Sequence, residues 1–334
     1  MKILVTAPIG YAKDTFFTER AKAELEKLGK VIYNPFDRQF TPEELCDYLE
    51  DMDILITSWK TPRLDSEVLK KADKLKLIAH TGGTVATLVT EALYEKDVVV
   101  LSGNIVFAES VAEGCLAYTM CALRRMEKYM GFMRDGAWRE TAGHSYNEGI
   151  MDRTVGLVGF GMIAKFFAKM LAPFHIELKI YSGHLTQAEA DLYNAELTSL
   201  NEIFETCDII SIHSAKTPKT YHLVGREQIG RMKDGALLVN TARGAIVDEQ
   251  ALIDELRTGR IHAALDVFKE EPLPSNSEFR KLPNALLIPH MGGPTIDRRE
   301  YVVLELVNDI RKFIDGETEL AMAISSEYAK NMTR

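Results

Sequence analysis

Short apolar runs bounded by turn residues alternate with segments of helical period almost throughout this chain. That alternation constrains the fold more than any other feature. Residues 2–6, 31–33, 53–57, 75–79 and 98–101 read as strands. Residues 15–28 read as a helix closed by Gly29 in the left-handed position after its end. Thr41, with Glu44 three residues on and Pro42 between, marks another helix start. The series resumes at residues 154–158 and continues through 178–181, 209–212, 236–239, 263–265 and 286–288. Such alternation builds parallel sheets with helices on both faces, an α/β architecture. A chain of 334 residues exceeds what one core of about 250–300 residues holds, so two domains are expected.

Between the two series lies a long apolar segment, 106–133. Ala108, Val111, Ala112, Cys115, Leu116, Thr119 and Leu123 share one helical stripe there. A loop rich in glycine and polar residues, 136–149, carries Trp138. A last helix, 295–315, has Val303, Leu306, Val307, Ile310, Phe313 and Ile314 on one face and Gly316 after its end. The second series needs no helix after its final strand, so this one is expected to return to the first domain. After the 75–79 strand, His80-Thr81-Gly82-Gly83-Thr84 leads into an expected helix at 85–93.

A formal net charge of −9 argues against a nucleic-acid partner. Cys46, Cys115, Cys121 and Cys207 form no CxxC pair and no zinc spacing, so reduced thiols in a cytoplasmic protein, with no metal, are expected. The first apolar run is too short for a signal peptide, and Lys13, Asp14, Glu19 and Arg20 follow it closely. No stretch reads as a membrane span, so no membrane partner is expected.

The 154–158 strand feeds Gly159-Phe160-Gly161-Met162-Ile163-Ala164, which opens a helix at 165–171. This is a G-x-G-x-x-A turn in its required context. Gly159 permits the tight turn, Gly161 lets backbone amides approach a pyrophosphate, and Ala164 allows close helix–strand packing. The next strand ends Ile180-Tyr181-Ser182-Gly183-His184, with no acid to bind ribose hydroxyls and repel a 2′-phosphate. Ser182 can hydrogen-bond either group, which leaves NAD and NADP both open.

Three later strands each end in a polar group. Arg243 follows 236–239, Asp266 follows 263–265 with Glu270 and Glu271 close behind, and His290 follows 286–288. In one parallel sheet they emerge at the same carboxyl edge, where open α/β sheets bind ligands. An arginine can grip a carboxylate, and a histidine can move a proton to and from a carbonyl oxygen. A carboxylate on the far nitrogen of that histidine sets its tautomer, and the bare residues do not separate Glu270 from Glu271. Gly292 and Gly293 give the backbone after His290 its freedom. The 80–84 turn is a candidate backbone nest for a substrate carboxylate, with Trp59 and Lys60 lining the same cleft.

These residues together resemble the D-isomer-specific 2-hydroxyacid dehydrogenase family over nearly the whole chain. The resemblance runs through Gly82-Gly83, Ser110-Val111-Ala112-Glu113, the Gly159–Ala164 turn and the stretches 213–220, 240–248, 264–272 and 290–295. It implies a catalytic Arg243, Glu271 and His290, the acid that directly precedes the proline being preferred. It implies cofactor contacts at the glycine turn (Gly159, Phe160, Gly161, Met162, Ile163) and at Ser182, His213, Thr241, Ala242, Asp266 and Gly292, with Asp266 on the nicotinamide carboxamide. Gly82, Gly83, Trp59 and Arg243 are the implied substrate contacts. The implied architecture is two Rossmann-like domains: a flavodoxin-like substrate domain (1–103 and 297–334) interrupted by an NAD(P)-binding Rossmann domain (104–296). A homodimer formed through the Rossmann domain's edge, including the 106–133 helix, is also implied.

The expected activity is hydride transfer between NAD or NADP and a small D-2-hydroxy or 2-oxo acid. The sequence departs from the family at Ser182, at the last position of the 81–85 nest and at Ser214-Ala215-Lys216, where the cofactor loop lacks its usual proline. Two rivals share the scaffold: an NAD(P)(H)-sensing binding protein of corepressor type, and a dehydrogenase of formate or phosphite.

Overall fold

A computed structural model of the chain describes residues 1–138 and 147–332. Residues 139–146 of the expected 136–149 loop lie outside the described residues. The chain divides into two compact units, Met1–Ala108 with Pro294–Arg334, and Glu109–Gly293.

The first unit holds β1 (Lys2–Val5), β2 (Lys30–Tyr33), β3 (Ile54–Thr57), β4 (Leu77–His80) and β5 (Val99–Ser102). All pair in parallel in the order β2-β1-β3-β4-β5, the flavodoxin-like order. Every residue of β3 and β4 is buried, as strands covered on both faces require. Alternate residues feed opposite cores. Leu4, Leu55, Ile78 and Val100 pack with Leu45, Leu49 and Leu69 on one face. Ile3, Val5, Ile56 and Ala79 pack on the other with Phe17, Leu25 and the C-terminal helix Arg299–Ile314, through Val302, Val303, Leu306, Val307 and Ile310. That helix thus belongs to the first unit.

The second unit holds β6 (Thr154–Val158), β7 (Glu177–Tyr181), β8 (Ala195–Leu197), β9 (Ile209–Ile212), β10 (Leu237–Asn240), β11 (His262–Leu265) and β12 (Ala285–Leu287). They pair in parallel in the order β12-β11-β10-β9-β6-β7-β8. This is a Rossmann sheet with one added strand, its order reversing between β6 and β9. Ile210, Ile212, Leu238 and Leu265 pack with Ile203, Phe204 and Leu252 on one face. Leu157, Ile180, Val239 and Ala264 pack with Ala112, Cys115, Ala164 and Phe167 on the other.

Several expectations are corrected. The 15–28 helix is two, Tyr11–Phe16 and Glu19–Glu26, because Thr18 caps the second by accepting from the Ala21 amide. Gly29 is not left-handed. A Cβ there would stand 2.2 Å from the Met1 carbonyl oxygen, so glycine is required by close backbone approach. The 106–133 helix is also two, Asn104–Leu123 and Met126–Arg134, broken where Arg125 takes a left-handed φ of 52°. Asn104–Leu123 does have the length and hydropathy to cross a membrane. In this chain its Ala112, Cys115 and Leu123 are buried in the core of the second unit. The 85–93 helix shrinks to Glu91–Tyr94. β8 was not anticipated.

Candidate active site

The register that aligns Asn240 with Leu265 and Leu265 with Leu287 brings the ends of β10, β11 and β12 side by side. Arg243, Asp266 and His290 all leave the sheet at this carboxyl edge. After β10, the Asn240 side chain shapes the turn: its Oδ1 accepts from the Ala242 amide at 3.1 Å and its Nδ2 donates to the Arg243 carbonyl at 3.1 Å. The Arg243 guanidinium donates to the Ala242 carbonyl at 2.7 Å. Burial holds its pKa below the usual arginine value, and the Glu271 charge opposes that shift. Glu271 is thus the carboxylate whose field reaches both Arg243 and His290.

Glu271 uses both oxygens. Oε1 accepts from the Phe268 amide at 2.9 Å, and Oε2 lies 2.6 Å from His290 Nδ1. Glu271 rather than Glu270 therefore makes the contact. With a carboxylate on Nδ1, the proton of a neutral ring sits there, leaving Nε2 as the free nitrogen. His290 is half exposed. Its backbone φ of 53° is left-handed, unusual for a residue with a side chain.

Asp266 holds the two residues that follow His290. Its buried carboxylate accepts from the Met291 amide at 2.6 Å through Oδ1 and from the Gly292 amide at 3.0 Å through Oδ2. The loop just past His290 is clamped to the end of β11. Burial raises the Asp266 pKa, and these two amides oppose the rise. Asp266 thus serves first as the anchor of the histidine loop. Gly292 fits because a Cβ would lie 2.8 Å from Asp266 Oδ2. Gly244 was not anticipated in any role. A Cβ on it would fall 2.1 Å from the Phe268 carbonyl carbon and 2.4 Å from the Lys269 amide nitrogen. Only glycine lets the arginine turn lie against the segment that carries Glu271, and its place directly after Arg243 was the one sequence signal.

The Gly159–Ala164 turn sits at the order reversal of the same sheet. Gly159 has a φ of 96°, and a Cβ on it would lie 2.6 Å from the Ser214 amide nitrogen. Gly161 is the N-cap of Met162–Leu171, has no side chain to cap the helix, and has open space where its Cβ would be. Free amides, the positive end of a helix and open space fit a pyrophosphate. Ala164 is fully buried against the sheet, and Phe160 packs edge-on against Tyr193. Ser182 follows β7 directly, and its Oγ accepts from the His184 amide. His213 follows β9. Its Nε2 lies 2.9 Å from Ser211 Oγ, which lies 3.3 Å from Cys115 Sγ. Burial pushes the His213 imidazole down to about 3, so it is neutral at physiological pH. Thr241 and Ala242 lie on the β10 turn. Among the described residues no cluster of acidic, histidine and cysteine side chains is suited to a metal ion.

In the first unit, β4 ends in buried His80, with Nδ1 2.9 Å from Thr57 Oγ1. Its Nε2 would be 2.5 Å from a Cβ on Gly82, so the imidazole lies directly beneath the glycine turn. Thr81 Oγ1 donates to the Thr57 carbonyl, and Ser102 Oγ to the Gly82 carbonyl. Phe107 lies 3.4 Å from where a Gly83 Cβ would be. The exposed Trp59 meets Phe16 and Phe107 edge-on, with centroids at 5.3 and 5.9 Å.

Residues 116–292 match the family profile described as "D-isomer specific 2-hydroxyacid dehydrogenase, NAD binding domain". The chain is 32% identical over 319 residues to a D-3-phosphoglycerate dehydrogenase of Methanocaldococcus jannaschii, covering 95% of this chain and 58% of that protein. It thus spans little more than half the length of that relative. It is 33% identical over 305 residues to a glyoxylate reductase of Thermofilum pendens, covering 90% of this chain and 89% of the relative. Among solved structures, the TT0316 protein of Thermus thermophilus superposes with a TM-score of 0.74 at 31% identity, over 97% of this chain and 100% of that one. The matched profile is that of an NAD-binding domain. The chain belongs to the D-isomer-specific 2-hydroxyacid dehydrogenase family of oxidoreductases.

Proposed function

We propose that the protein interconverts a D-2-hydroxy acid and its 2-oxo acid, with Arg243, Glu271 and His290 as catalytic residues. The observation that carries this reading is the 2.6 Å contact of Glu271 with His290 Nδ1, which leaves Nε2 for the substrate oxygen. NAD or NADP, when bound, supplies or accepts the hydride at substrate C2. In reduction His290 Nε2 donates a proton to the carbonyl oxygen, and in oxidation it removes the hydroxyl proton. Glu271 holds the ring and balances its positive charge. Arg243 binds the substrate carboxylate or carbonyl oxygen through charge-assisted hydrogen bonds.

The second unit holds the cofactor at Gly159–Ile163, with Ser182, His213, Thr241, Ala242, Asp266 and Gly292 around it. The first unit receives the substrate carboxylate at the Gly82-Gly83 backbone, with Trp59 as a wall. Ser182 carries no charge to reject a 2′-phosphate, which supports use of both NADH and NADPH. Exposed Met120, Met126, Met130, Met133 and Met151 on the second unit support a homodimer through that edge. Free thiols at all four cysteines fit a cytoplasmic location. Consumption of NADH or NADPH with a panel of 2-oxo acids, and chiral analysis of the product, tests the reading. D-2-hydroxy acid is expected. Tight cofactor binding with no turnover on any 2-oxo acid would overturn it.

A further inference from the structure

Within the first unit, a cavity of about 380 Å³ opens at the carboxyl ends of β1 and β3, where the strand order reverses. This is the place where a sheet of this order binds ligands. Ala7, Ala12, Phe16, Phe17 and Trp59 make its apolar walls. Thr81, the first residue of the glycine turn proposed to take the substrate carboxylate, also lines it. Carboxylate seat and cavity are therefore neighbours just past the end of β4.

The wall is pre-formed. Gln39 Nε2 donates to Ser58 Oγ and to the Trp59 carbonyl, both at 2.8 Å. Thr61 Oγ1 donates to the Ser58 carbonyl at 2.8 Å and lies 2.8 Å from Thr6 Oγ1. The loop that presents Trp59 and Lys60 is thus tied to β1. Three cations line the cavity, but they are not equivalent. Arg38 is committed to a bidentate pair with Glu44 at 2.7 and 2.8 Å. Lys13 and Lys60 form no ion pair among the described residues. Lys13 is half-buried, 5.0 Å from the Tyr33 ring centre, and burial lowers its pKa, with Lys22 adding to that shift. Asp37 is the one carboxylate in the lining.

Glyoxylate has only a hydrogen beyond its reacting carbon and would leave this space to water. We propose that the cavity takes the substituent on C2 of the substrate. The substrate class it fits is a 2-oxo acid with an apolar stem of several carbons ending in a carboxylate. The aromatic walls hold the stem, and Lys13 and Lys60 receive the distal anion. This deepens the reading of the protein as a 2-oxo acid reductase and rests on it.

The test compares kcat/KM for glyoxylate, 2-oxohexanoate, 2-oxoadipate and 3-phosphohydroxypyruvate with the full chain and saturating NADH or NADPH. The two six-carbon acids differ only at the far end. 2-Oxoadipate is expected to exceed each of the others by about tenfold or more. Lys13→Met and Lys60→Met are expected to lower the 2-oxoadipate value about tenfold more than the 2-oxohexanoate value. Their melting temperatures report whether folding is intact. Highest efficiency on glyoxylate or on 3-phosphohydroxypyruvate would overturn the inference while sparing the dehydrogenase reading. So would a 2-oxohexanoate value equal to or above that of 2-oxoadipate, or equal losses on both six-carbon acids in the lysine variants. No turnover on any of the four would sink both.

Discussion

The Glu271 carboxylate bridges the Phe268 amide and His290 Nδ1, so the acid that orients the histidine is itself fixed by its own loop. Glu271→Gln preserves the shape and changes what faces Nδ1. An amide nitrogen placed there donates, which moves the ring proton to Nε2 and removes the base needed for oxidation. Oxidation of the D-2-hydroxy acid is expected to fall roughly 10²-fold or more, with cofactor affinity retained. Stopped-flow or steady-state rates beside a fluorescence titration of NADH would check this. Unchanged oxidation would show that the contact does not set the tautomer.

Gly244 lies under the backbone of Phe268 and Lys269 with no room for a methyl group. Gly244→Ala must displace backbone rather than a flexible side-chain end, which costs roughly 1–3 kcal/mol or more. It is expected to lower kcat too, because the displaced segments carry Arg243 and Glu271. Urea unfolding together with kcat would test both effects.

Burial pushes the His80 imidazole down to about 4 from its ordinary 6.5. A histidine held neutral in the fold binds its proton more readily when unfolded. The native state therefore loses stability as pH falls from about 6.5 toward 4 and regains it above. Between pH 7 and pH 5 this is worth about 2 kcal/mol. His80→Gln is expected to remove that share of the acid sensitivity, visible as a smaller difference between urea midpoints at the two pH values. An unaltered difference would mean the ring is protonated in the native state.

Ser182 follows β7 directly, where the proposed cofactor site would need an acid to exclude a 2′-phosphate. Ser182→Asp is expected to lower kcat/KM for NADPH about tenfold or more through like-charge repulsion, while NADH is little affected. Parallel kinetics with the two cofactors would check it. Equal effects on both would place the adenosine ribose elsewhere.

Most strands were legible because strands buried on both faces demand runs such as Ile54–Thr57 and Ile209–Ile212, which little else in the chain imitates. β8, only Ala195–Leu197, is too short to show a period. The helix breaks at Thr18 and Arg125 were hidden because the apolar stripes run on across them. The bare residues left Glu270 and Glu271 as competitors, since they differ by one position on a loop. The family resemblance favours Glu271, and it is Glu271 whose Oε2 lies 2.6 Å from His290 Nδ1. The Asp266 clamp was illegible, because its partners lie 25 and 26 residues further along the chain. The resemblance implies domain boundaries at residues 103 and 297; the compact units divide after Ala108 and before Pro294.

The proposed reaction depends on His290 to carry the proton. The most direct measurement is kcat of His290→Ala in both directions, beside cofactor affinity and melting temperature. A fall of roughly 10²–10⁴-fold in kcat with affinity and melting temperature preserved is the expected result. Turnover near that of the unaltered protein would exclude His290 as the proton carrier.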